Sequence, residues 1–305
     1  MQFGKEEVCV FIPALNEAPT IGELIATFRN LGFTTIFVMD GNSSDGTPEI
    51  AKAAGAVVQT QSGNGKGNAI REALAVIQSP YVLMVDGDGT YTSEDAEKML
   101  EPLSDGYDHV IGDRLYSPDP GSFSRLNLLG NQLINLLFKM AHGKDLHDIL
   151  SGYRAFTRDS FAQMRLYESG FGIETEISVE AVRNNQRVAV VPVHYRKRSG
   201  THTKLSPLND GLKIATTIYR LAKVNNPIFF FGLMGALMAV LGSLVGVYVI
   251  LEWLQGIDHI PLTILTVLLI MVGFEIFMFG VISDLILGFH REVIREIQLL
   301  QPPKK

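Results

Sequence analysis

The stretch Val82-Leu83-Met84-Val85-Asp86-Gly87-Asp88 decides the fold of the first two thirds of this 305-residue chain. Its four consecutive apolar residues predict a strand that is buried on both faces. Because side chains alternate along an extended chain, Asp86 and Asp88 should project to the same side, within reach of one hard cation. An isolated Asp-Gly-Asp is also typical of a solvated turn, so the neighbouring sequence must decide between the two interpretations.

Upstream, short apolar runs alternate with polar loops and helical segments. Residues 8–12, 36–39 and 57–60 predict strands, and we expect Pro13 to close the first of them. This alternation predicts an α/β fold with a mostly parallel, Rossmann-like sheet, in which ligands bind at the carboxyl ends of the strands. Three polar loops should therefore converge on one crevice: Pro13 to Glu17, Asp40 to Asp45, and Asp86 to Asp88.

The last third of the chain is strongly apolar. We predict transmembrane helices over 227–251 and 260–287, because each run is long enough to cross roughly 30 Å of hydrocarbon. A buried hairpin in a soluble core is the alternative, which two consecutive runs of this length disfavour. The remaining predicted parts are a catalytic domain over 1–204, an interfacial amphipathic helix or a helix packed on the sheet over 205–226, and a tail over 288–305.

The distribution of charge predicts the orientation in the membrane. Lys and Arg flank both apolar runs on their outer sides, whereas the loop that holds Asp258 has neither. The polar N-terminus shows no signal segment. We therefore predict a cell-membrane protein with two spans in the lipid bilayer and both termini in the cytoplasm. The flanking cations are Arg220, Lys223, Arg291, Arg295, Lys304 and Lys305.

One acid interrupts the middle of the second apolar run. A carboxylate at bilayer depth is costly and usually faces protein or water, so Glu275 should face another helix, which predicts a homo-oligomer. We expect Leu269, in contrast, to face lipid. The net charge of −6 gives no indication of nucleic-acid binding. Cys9 is the only cysteine, which excludes an intrachain disulfide and predicts a small core residue.

The motifs together carry a family resemblance. In order and spacing, the three loops and the segment Gly63 to Gly67 resemble the signatures of family 2 glycosyltransferases, which have the GT-A fold. Later blocks are similar to those of polyprenyl (dolichyl) phosphate sugar synthases, and most similar to archaeal enzymes that charge dolichyl phosphate for S-layer N-glycosylation. These blocks are Gly112 to Arg114, Ser124 to Asn127, Asp148 to Arg154, Phe171 to Glu176, and Arg198 to Lys204.

The resemblance implies that the first loops bind a nucleotide. Asp40 can accept hydrogen bonds from a base, and Asn16 or Glu17 can reach uracil or ribose. Lys66, between glycines, can approach a phosphate or the base. Capping of the following helix is an alternative role for Asn16 and Glu17. The full predicted nucleotide-binding set is Pro13, Asn16, Glu17, Asp40, Ser43, Lys66 and Asp86.

The resemblance also implies that Asp86 and Asp88 hold Mg²⁺ or Mn²⁺ against the donor diphosphate, where the metal neutralises charge on the leaving nucleotide. Mannose-loading members of the family have Gln two residues beyond the second acid, and here that residue is Thr90. This departure leaves the third metal ligand open. It also favours UDP-glucose or UDP-N-acetylglucosamine over GDP-mannose as the donor.

The acceptor would be dolichyl phosphate. A phosphate monoester is largely dianionic at neutral pH, so it needs positioning by cations and no general base. Arg114, Arg125, Arg198 and Lys204 are the predicted acceptor-phosphate contacts, each with a surface cation as the alternative. Asp86, Asp88 and Arg114 form the predicted catalytic set. Glu174 and Glu176, where other family 2 enzymes keep a base, are predicted substrate contacts.

These observations predict an inverting hexosyltransferase that moves a sugar from a UDP-sugar to dolichyl phosphate and so supplies protein N-glycosylation. The enzyme alternatives are a GDP-mannose-dependent dolichyl-phosphate mannose synthase and a hydroxyl-directed polysaccharide transferase. The latter usually carries Gln-x-x-Arg-Trp, whereas the sole tryptophan here is Trp253. An inactive membrane scaffold is the remaining alternative, which the presence of both Asp86 and Asp88 disfavours.

Overall fold

The computed structural model describes residues 3–170, 172–197 and 227–300, with backbone alone for 290–300. The chain divides into two compact units, Met1–Lys139 with Gly143–Ile218 and Met140–His142 with Tyr219–Lys305. The predicted boundary at 204 and the predicted helix over 205–226 lie outside the described residues.

The first unit contains a seven-stranded sheet in the order β3-β2-β1-β4-β6-β5-β7. Its strands are β1 (Val8–Ala14), β2 (Thr35–Asp40), β3 (Val57–Thr60), β4 (Tyr81–Met84), β5 (His109–Asp113), β6 (Arg154–Thr157) and β7 (Val188–Pro192). Its helices are α1 (Ala18–Asn30), α2 (Thr47–Ala53), α3 (Lys66–Val76), α4 (Ala96–Ser104), α5 (Arg125–His142), α6 (Arg158–Ala162) and α7 (Ile173–Arg183).

The apolar runs of β1 and β4 are buried on both faces, as predicted. Val8, Val10 and Ile12 pack in one core with α1 and α4, whereas Cys9 and Phe11 pack in another with α3 and α7. Helices therefore cover both faces of the sheet. Burial raises the pKa of the Cys9 thiol to about 12, consistent with its predicted place in the core.

The prediction that Pro13 closes β1 is wrong, because Pro13 lies within the strand and pairs in register with Met39. The carbonyl of Phe11 accepts from the amide of Val85, so Phe11 faces β4, and Pro13, two residues on, faces the same way. The ladder with β4 ends at Phe11. A backbone N–H at residue 13 would therefore have no strand partner on the β4 side. The lack of this N–H in proline costs no ladder hydrogen bond, and β1 continues through Pro13.

The sheet is mostly parallel, as predicted, with one exception. β6 lies between β4 and β5 and is antiparallel to both. The carboxyl ends of β1, β2, β4 and β5 consequently share one edge with the start of β6. The polar residues that follow these strands meet at that edge.

The second unit contains two long helices, α8 (Pro227–Trp253) and α9 (Ile260–Leu300). Pro227–Trp253 and Ile260–Phe289 are long and apolar enough to cross a membrane, with mean hydropathies of 2.3 and 2.5. The two helices approach closely through small residues, since a Cβ on Gly273 would lie 2.7 Å from the carbonyl oxygen of Gly235. α9 continues without a break into the predicted tail.

Glu275 and Leu269, the two residues of α9 whose surroundings were predicted from the sequence, lie on different surfaces of the helix. Glu275 is exposed. Leu269 faces α8, because a Cβ on Gly242 would lie 3.0 Å from the Cβ of Leu269. The expectation that Leu269 faces lipid is therefore wrong, because a close crossing at glycine brings this leucine into the helix pair.

Candidate active site

The loops after β1 and β2 are held together by hydrogen bonds between their polar residues. The amide of Asn16 donates to Ser43 Oγ at 2.9 Å, and the amide of Ser44 donates to Asn16 Oδ1 at 2.9 Å. Asn16 has a φ of 52°, which turns the chain so that both bonds form. Its side chain thus joins two loops and does not cap α1, so the capping alternative fails for Asn16.

Asp40 lies at the carboxyl end of β2 with only 1% of its surface exposed. Its Oδ2 accepts from the amide of Ser43 at 3.0 Å, whereas the buried Oδ1 has no hydrogen-bond partner among the described residues. A buried carboxylate oxygen without a donor is costly, so this atom is suited to accept from a ligand. Among the predicted nucleotide-binding residues described above, Asp40 thus has an oxygen that is available to a ligand, and its contact with a nucleotide stays a prediction.

Lys66, the first residue of α3, lies between two carboxylates. Its Nζ forms ion pairs with Asp86 Oδ1 and, at 2.6 Å, with Glu174 Oε1. Burial acts to lower the pKa of Lys66, but the charges of Asp86 and Glu174 outweigh it and raise that pKa. Of these two partners Asp86 is the more exposed, because 27% of its side-chain surface is accessible against 7% for Glu174. Ligands can therefore reach Asp86 more easily than Glu174.

Asp86 and Asp88 follow β4 in a turn. The Oδ1 atom of Asp88 accepts from both the amide and the hydroxyl of Thr90, at 3.1 and 2.6 Å. Thr90, at the position where the family's mannose-loading members have Gln, is thus a partner of the second acid. Gly152 lies against the carboxylate of Asp86, and a Cβ at this residue would collide with it.

The residues at the end of β4 fit a divalent metal. Asp86 and Glu174 contribute two carboxylates and Lys66 one ammonium, which leaves one surplus negative charge in this group, and Asp88 follows two residues after Asp86. Carboxylate oxygens are ligands that Mg²⁺ and Mn²⁺ prefer. The described residues contain no group of three or more His, Cys, Asp or Glu placed to hold a metal.

The glycines of the segment Gly63 to Gly67 have a packing role that the sequence did not reveal. A Cβ on Gly65 or Gly67 would collide with backbone carbonyls of residues 168 and 169. The amide of Gly67 also donates to the Ser169 carbonyl at 3.1 Å. Glycine is thus required here so that α3 begins against this chain segment, which fixes Lys66 beside Asp86.

Arg114 follows β5 and is paired with Asp148, which is completely buried. Its Nε and Nη2 donate to the two carboxylate oxygens at 2.7 and 2.8 Å, and its amide donates to Oδ2 at 3.1 Å. The rings of Phe123 and Tyr195 lie 5.7 and 5.4 Å from the guanidinium. Two of the five N–H donors of the Arg114 guanidinium are thus bound to Asp148, and Arg114 is only 9% exposed, which limits its predicted contact with an acceptor phosphate.

Glu174 and Glu176 differ in their surroundings. Glu174 binds Lys66, as described above. Glu176 Oε2 accepts from the amides of Tyr167 and Glu168 at 2.9 and 2.8 Å, and burial raises the pKa of this residue. Glu176 therefore holds the segment that packs on Gly65 and Gly67, and only Glu174 lies beside the predicted metal ligands.

The remaining predicted cations are not brought together by the described residues. Arg125 is the exposed first residue of α5, and none of the residues that the structure describes forms an ion pair with it. Arg198 and Lys204 lie outside the described residues. Their predicted contact with the acceptor phosphate stays a prediction.

Two residues of the segment Asp148 to Arg154 have structural roles that the sequence did not predict. Asp148 is the partner of Arg114, and Arg154 is fully buried, donating to the carbonyls of Ser151, Ile149 and Glu174. Arg154 thereby fixes both the turn before β6 and the start of α7. In Arg154-Ala155-Phe156 the local sequence gives no signal that this arginine is buried, because Lys and Arg are mostly exposed.

The sheet order, the helices on both faces and the acid pair after β4 define a GT-A glycosyltransferase. The profile of Glycosyl transferase family 2 matches residues 9–165. Glycosyltransferase AglJ of Haloferax volcanii is 49% identical over 97% of this chain and 99% of its own length. The chain belongs to glycosyltransferase family 2.

Two further comparisons agree with this assignment. The dolichyl-phosphate hexose transferase of Haloferax volcanii is 33% identical over 70% of this chain and 93% of its own length. The fold is similar to that of glucosyl-3-phosphoglycerate synthase from Mycobacterium tuberculosis in complex with Mn²⁺ and UDP-glucose. That match has a TM-score of 0.59 and 22% identity, and covers 70% of this chain and 78% of the synthase.

Proposed function

We propose that this glycosyltransferase moves a hexose from a UDP-sugar to dolichyl or another polyprenyl phosphate and thereby supplies protein N-glycosylation. The observation that carries the proposal is that Glu174 and Glu176, in the region where a base is expected, are both engaged by protein partners. An acceptor that is already ionised, such as a phosphate monoester, does not require such a base.

The chemical step in this proposal is a single displacement. An acceptor phosphate oxygen forms a bond with the anomeric carbon, the bond from that carbon to the donor diphosphate breaks, and UDP leaves with the electron pair. One in-line displacement inverts the anomeric configuration. When bound, Mg²⁺ or Mn²⁺ supplies Lewis-acid stabilisation of the charge that grows on the diphosphate.

The described residues have separate roles in this step. Asp40 binds the base through its buried Oδ1, and Asn16 and Ser43 hold the loop that carries it. Asp86 and Asp88 hold the metal. Lys66 keeps Asp86 in place before the donor arrives and is close enough to the cluster to contact a phosphate afterwards. None of these side chains has to transfer a proton.

Similarity supports the choice of donor and metal. UDP-glucose and Mn²⁺ are bound in the synthase that shares the fold. Thr90 bonds to Asp88 where mannose-loading relatives have Gln, so we favour UDP-glucose or UDP-N-acetylglucosamine over GDP-mannose.

We also propose that α8 and α9 cross the cell membrane with both termini in the cytoplasm. Only 11% of the most apolar stretch of each helix is buried within the chain, which argues against two core helices of a soluble protein. The loop between the helices has no Lys or Arg.

The deciding experiment uses the full chain, purified in detergent, with dolichyl phosphate and a panel of radiolabelled UDP- and GDP-sugars. We expect a glycolipid that forms with one UDP-sugar and only when Mg²⁺ or Mn²⁺ is present. Dolichol without the phosphate is the matched control acceptor and should give no product. If no donor yields a metal-dependent glycolipid, or if dolichol serves equally well, the proposal is wrong.

The proposed homo-oligomer has its own test. Because Glu275 is exposed on α9, a second chain can cover it. Glu275→Ala should therefore reduce the oligomer fraction measured in detergent by mass photometry. The matched control is Val267→Ala, because Val267 is 52% exposed and lies about 80° around α9 from Glu275, whereas Leu269 packs on α8. Equal behaviour of the two variants would contradict the idea.

A further inference from the structure

Tyr195 lies in the segment after β7, which runs alongside the turn that follows β4. We call this turn, residues 86–91, the acid turn. The amide of Arg196 donates to the Thr90 carbonyl at 2.8 Å, and Tyr195 forms an isolated antiparallel bridge with Tyr91. The backbone of the segment after β7 is therefore joined to the acid turn.

The ring of Tyr195 contacts three other side chains. It lies edge-on to the ring of Tyr91, with ring centroids 5.3 Å apart, and is stacked on the ring of Phe123 at 4.9 Å. The guanidinium of Arg114 lies 5.4 Å from the centre of the same ring. One aromatic ring is thus in contact with both the acid turn and Arg114.

The acid turn connects this ring to both predicted metal ligands. Thr90 donates its hydroxyl to Asp88 at 2.6 Å. The Tyr91 hydroxyl accepts from the amide of Gly152 at 2.9 Å, and Gly152 lies against the carboxylate of Asp86. Because groups that hold metal ligands in place contribute to the affinity of a metal site, a displacement of the acid turn would disturb both carboxylates.

The contact with Arg114 reaches the other predicted part of the site, the acceptor phosphate. A guanidinium within about 6 Å of a ring centroid is attracted to the face of the ring. The two hydrogen bonds to Asp148 and the contact with the Tyr195 ring together leave the guanidinium little freedom to move. Tyr195 therefore contributes to the placement of Arg114 as well as to that of the acid turn.

We propose that Tyr195 is a positioning residue that holds the acid turn and Arg114 at a fixed separation. The inference rests on the proposed function, which assigns the metal and the donor diphosphate to the acid turn and the acceptor phosphate to Arg114. Displacement requires the acceptor oxygen and the anomeric carbon to lie about 3–3.5 Å apart and in line. The separation that Tyr195 maintains would set this alignment.

Tyr195 does not act as a base in this proposal. Burial raises the pKa of its hydroxyl and outweighs the opposing charge of Arg114, so the hydroxyl stays protonated at neutral pH. The ring makes the contacts described above. Phenylalanine at this position would keep the ring and remove the hydroxyl, which allows the two parts of the side chain to be tested separately.

Binding of Mn²⁺ to the full chain in detergent, without donor or acceptor, tests the proposal. Tyr195→Leu removes the ring and should weaken Mn²⁺ binding by about tenfold, as the loss of a group that supports metal ligands commonly does. Tyr195→Phe should bind Mn²⁺ nearly as tightly as the parent protein. Electron paramagnetic resonance of free Mn²⁺ measures the affinity. If Tyr195→Leu does not fold, Tyr195→Met takes its place with the same expected loss.

The matched control is Tyr107→Leu. Tyr107 is half-buried like Tyr195, and the Arg187 guanidinium lies 5.0 Å from the centre of its ring, but it precedes β5 at the opposite edge of the sheet. This variant loses the same kind of contact and should leave the Mn²⁺ affinity unchanged. Equal Mn²⁺ affinities of Tyr195→Leu and the parent protein would overturn the proposal. A loss in Tyr195→Phe as large as that in Tyr195→Leu would also overturn it.

A transfer assay tests the alignment with Arg114. At saturating Mn²⁺ and donor, Tyr195→Leu should turn over about 10²-fold more slowly than the parent protein, because a misplacement of about 1 Å costs roughly that factor. Full turnover of this variant at saturating metal would contradict the alignment role. If the parent protein transfers no sugar to dolichyl phosphate, the proposed function fails, whereas Mn²⁺ binding still decides whether Tyr195 positions the acid turn.

Discussion

Lys66, which is partly buried, and Arg114, which is buried, are two cations at the same edge of the sheet, but they are paired in different ways. Arg114 binds one carboxylate through two parallel hydrogen bonds, and that carboxylate, on Asp148, is completely buried. Lys66 lies between two carboxylates, of which Asp86 is partly exposed and is also a predicted metal ligand. The Arg114–Asp148 pair is suited to a fixed structural role, whereas the ion pairs of Lys66 are suited to exchange when a metal or ligand binds Asp86.

The comparison shows which ion pair serves stability and which serves function. A buried one-to-one pair with ideal geometry leaves neither charge free for a ligand, and its loss exposes an uncompensated charge. A lysine shared by two acids leaves the group with a surplus negative charge, which attracts a cation. Four substitutions test this distinction, beginning with the largest expected effect.

Asp86→Asn should reduce sugar transfer by about 10³-fold, because a metal's contribution of several kcal/mol to the transition state corresponds to that factor. The thermal midpoint should stay close to that of the parent protein, since Glu174 still pairs with Lys66. Turnover and thermal unfolding in detergent measure the two effects. Asp105→Asn, an exposed acid after α4, is the matched control. Retention of activity in Asp86→Asn would refute the metal-binding role.

Asp148→Asn should destabilise the catalytic unit by about 3 kcal/mol, because Arg114 would remain buried without a full counter-charge. Asp145→Asn makes the same chemical change in the exposed pair with Lys139 and should cost less than about 1 kcal/mol. Thermal unfolding of both variants in the same detergent measures the difference. Equal shifts of the midpoint would show that the Arg114 pair has no special structural role.

Gly152→Ala should reduce activity by about 10²-fold, because the added Cβ would displace the Asp86 carboxylate, and a shift of about 1 Å in a site costs roughly that factor. The concentration of Mn²⁺ needed for half-maximal activity should rise as well. The control is Gly130→Ala in α5, where no atom lies within 4 Å of the added Cβ. An unchanged metal requirement in Gly152→Ala would indicate that Asp86 can move aside without consequence.

Lys66→Gln should strengthen the binding of Mn²⁺ in the absence of donor by about tenfold. Two unit charges 4 Å apart interact by about 4 kcal/mol at an effective dielectric constant of 20, and solvent and relaxation reduce this value. Electron paramagnetic resonance of free Mn²⁺ measures the affinity. Lys52→Gln removes an exposed lysine of α2 and should change nothing. Weaker Mn²⁺ binding in Lys66→Gln would mean that Lys66 organises the metal site and does not compete for it.

The sequence was sufficient to predict the parallel strands β1 to β4 and the acids at their carboxyl ends. The spacing of apolar residues and the composition of turns, on which these predictions depend, are local properties of the sequence. The convergence of Asp40 and Asp86 follows from topology alone. The pairing of Arg114 with Asp148 could not be predicted, because the two residues are 34 positions apart and meet only through β5 and the turn before β6. Local patterns likewise gave no reason to expect Glu176 to bind backbone amides or Leu269 to pack on a glycine.

The placement of β6 has a consequence for biosynthesis. β4 is complete at Met84, but its second neighbour in the sheet, β6, is translated only at residues 154–157. For about 70 residues of synthesis the nascent chain therefore carries an apolar strand with one open edge, a condition that favours wrong pairing. β5 also waits for β6 before it can join the sheet. Translation speed over residues 85–157 should therefore influence the yield of correctly folded protein.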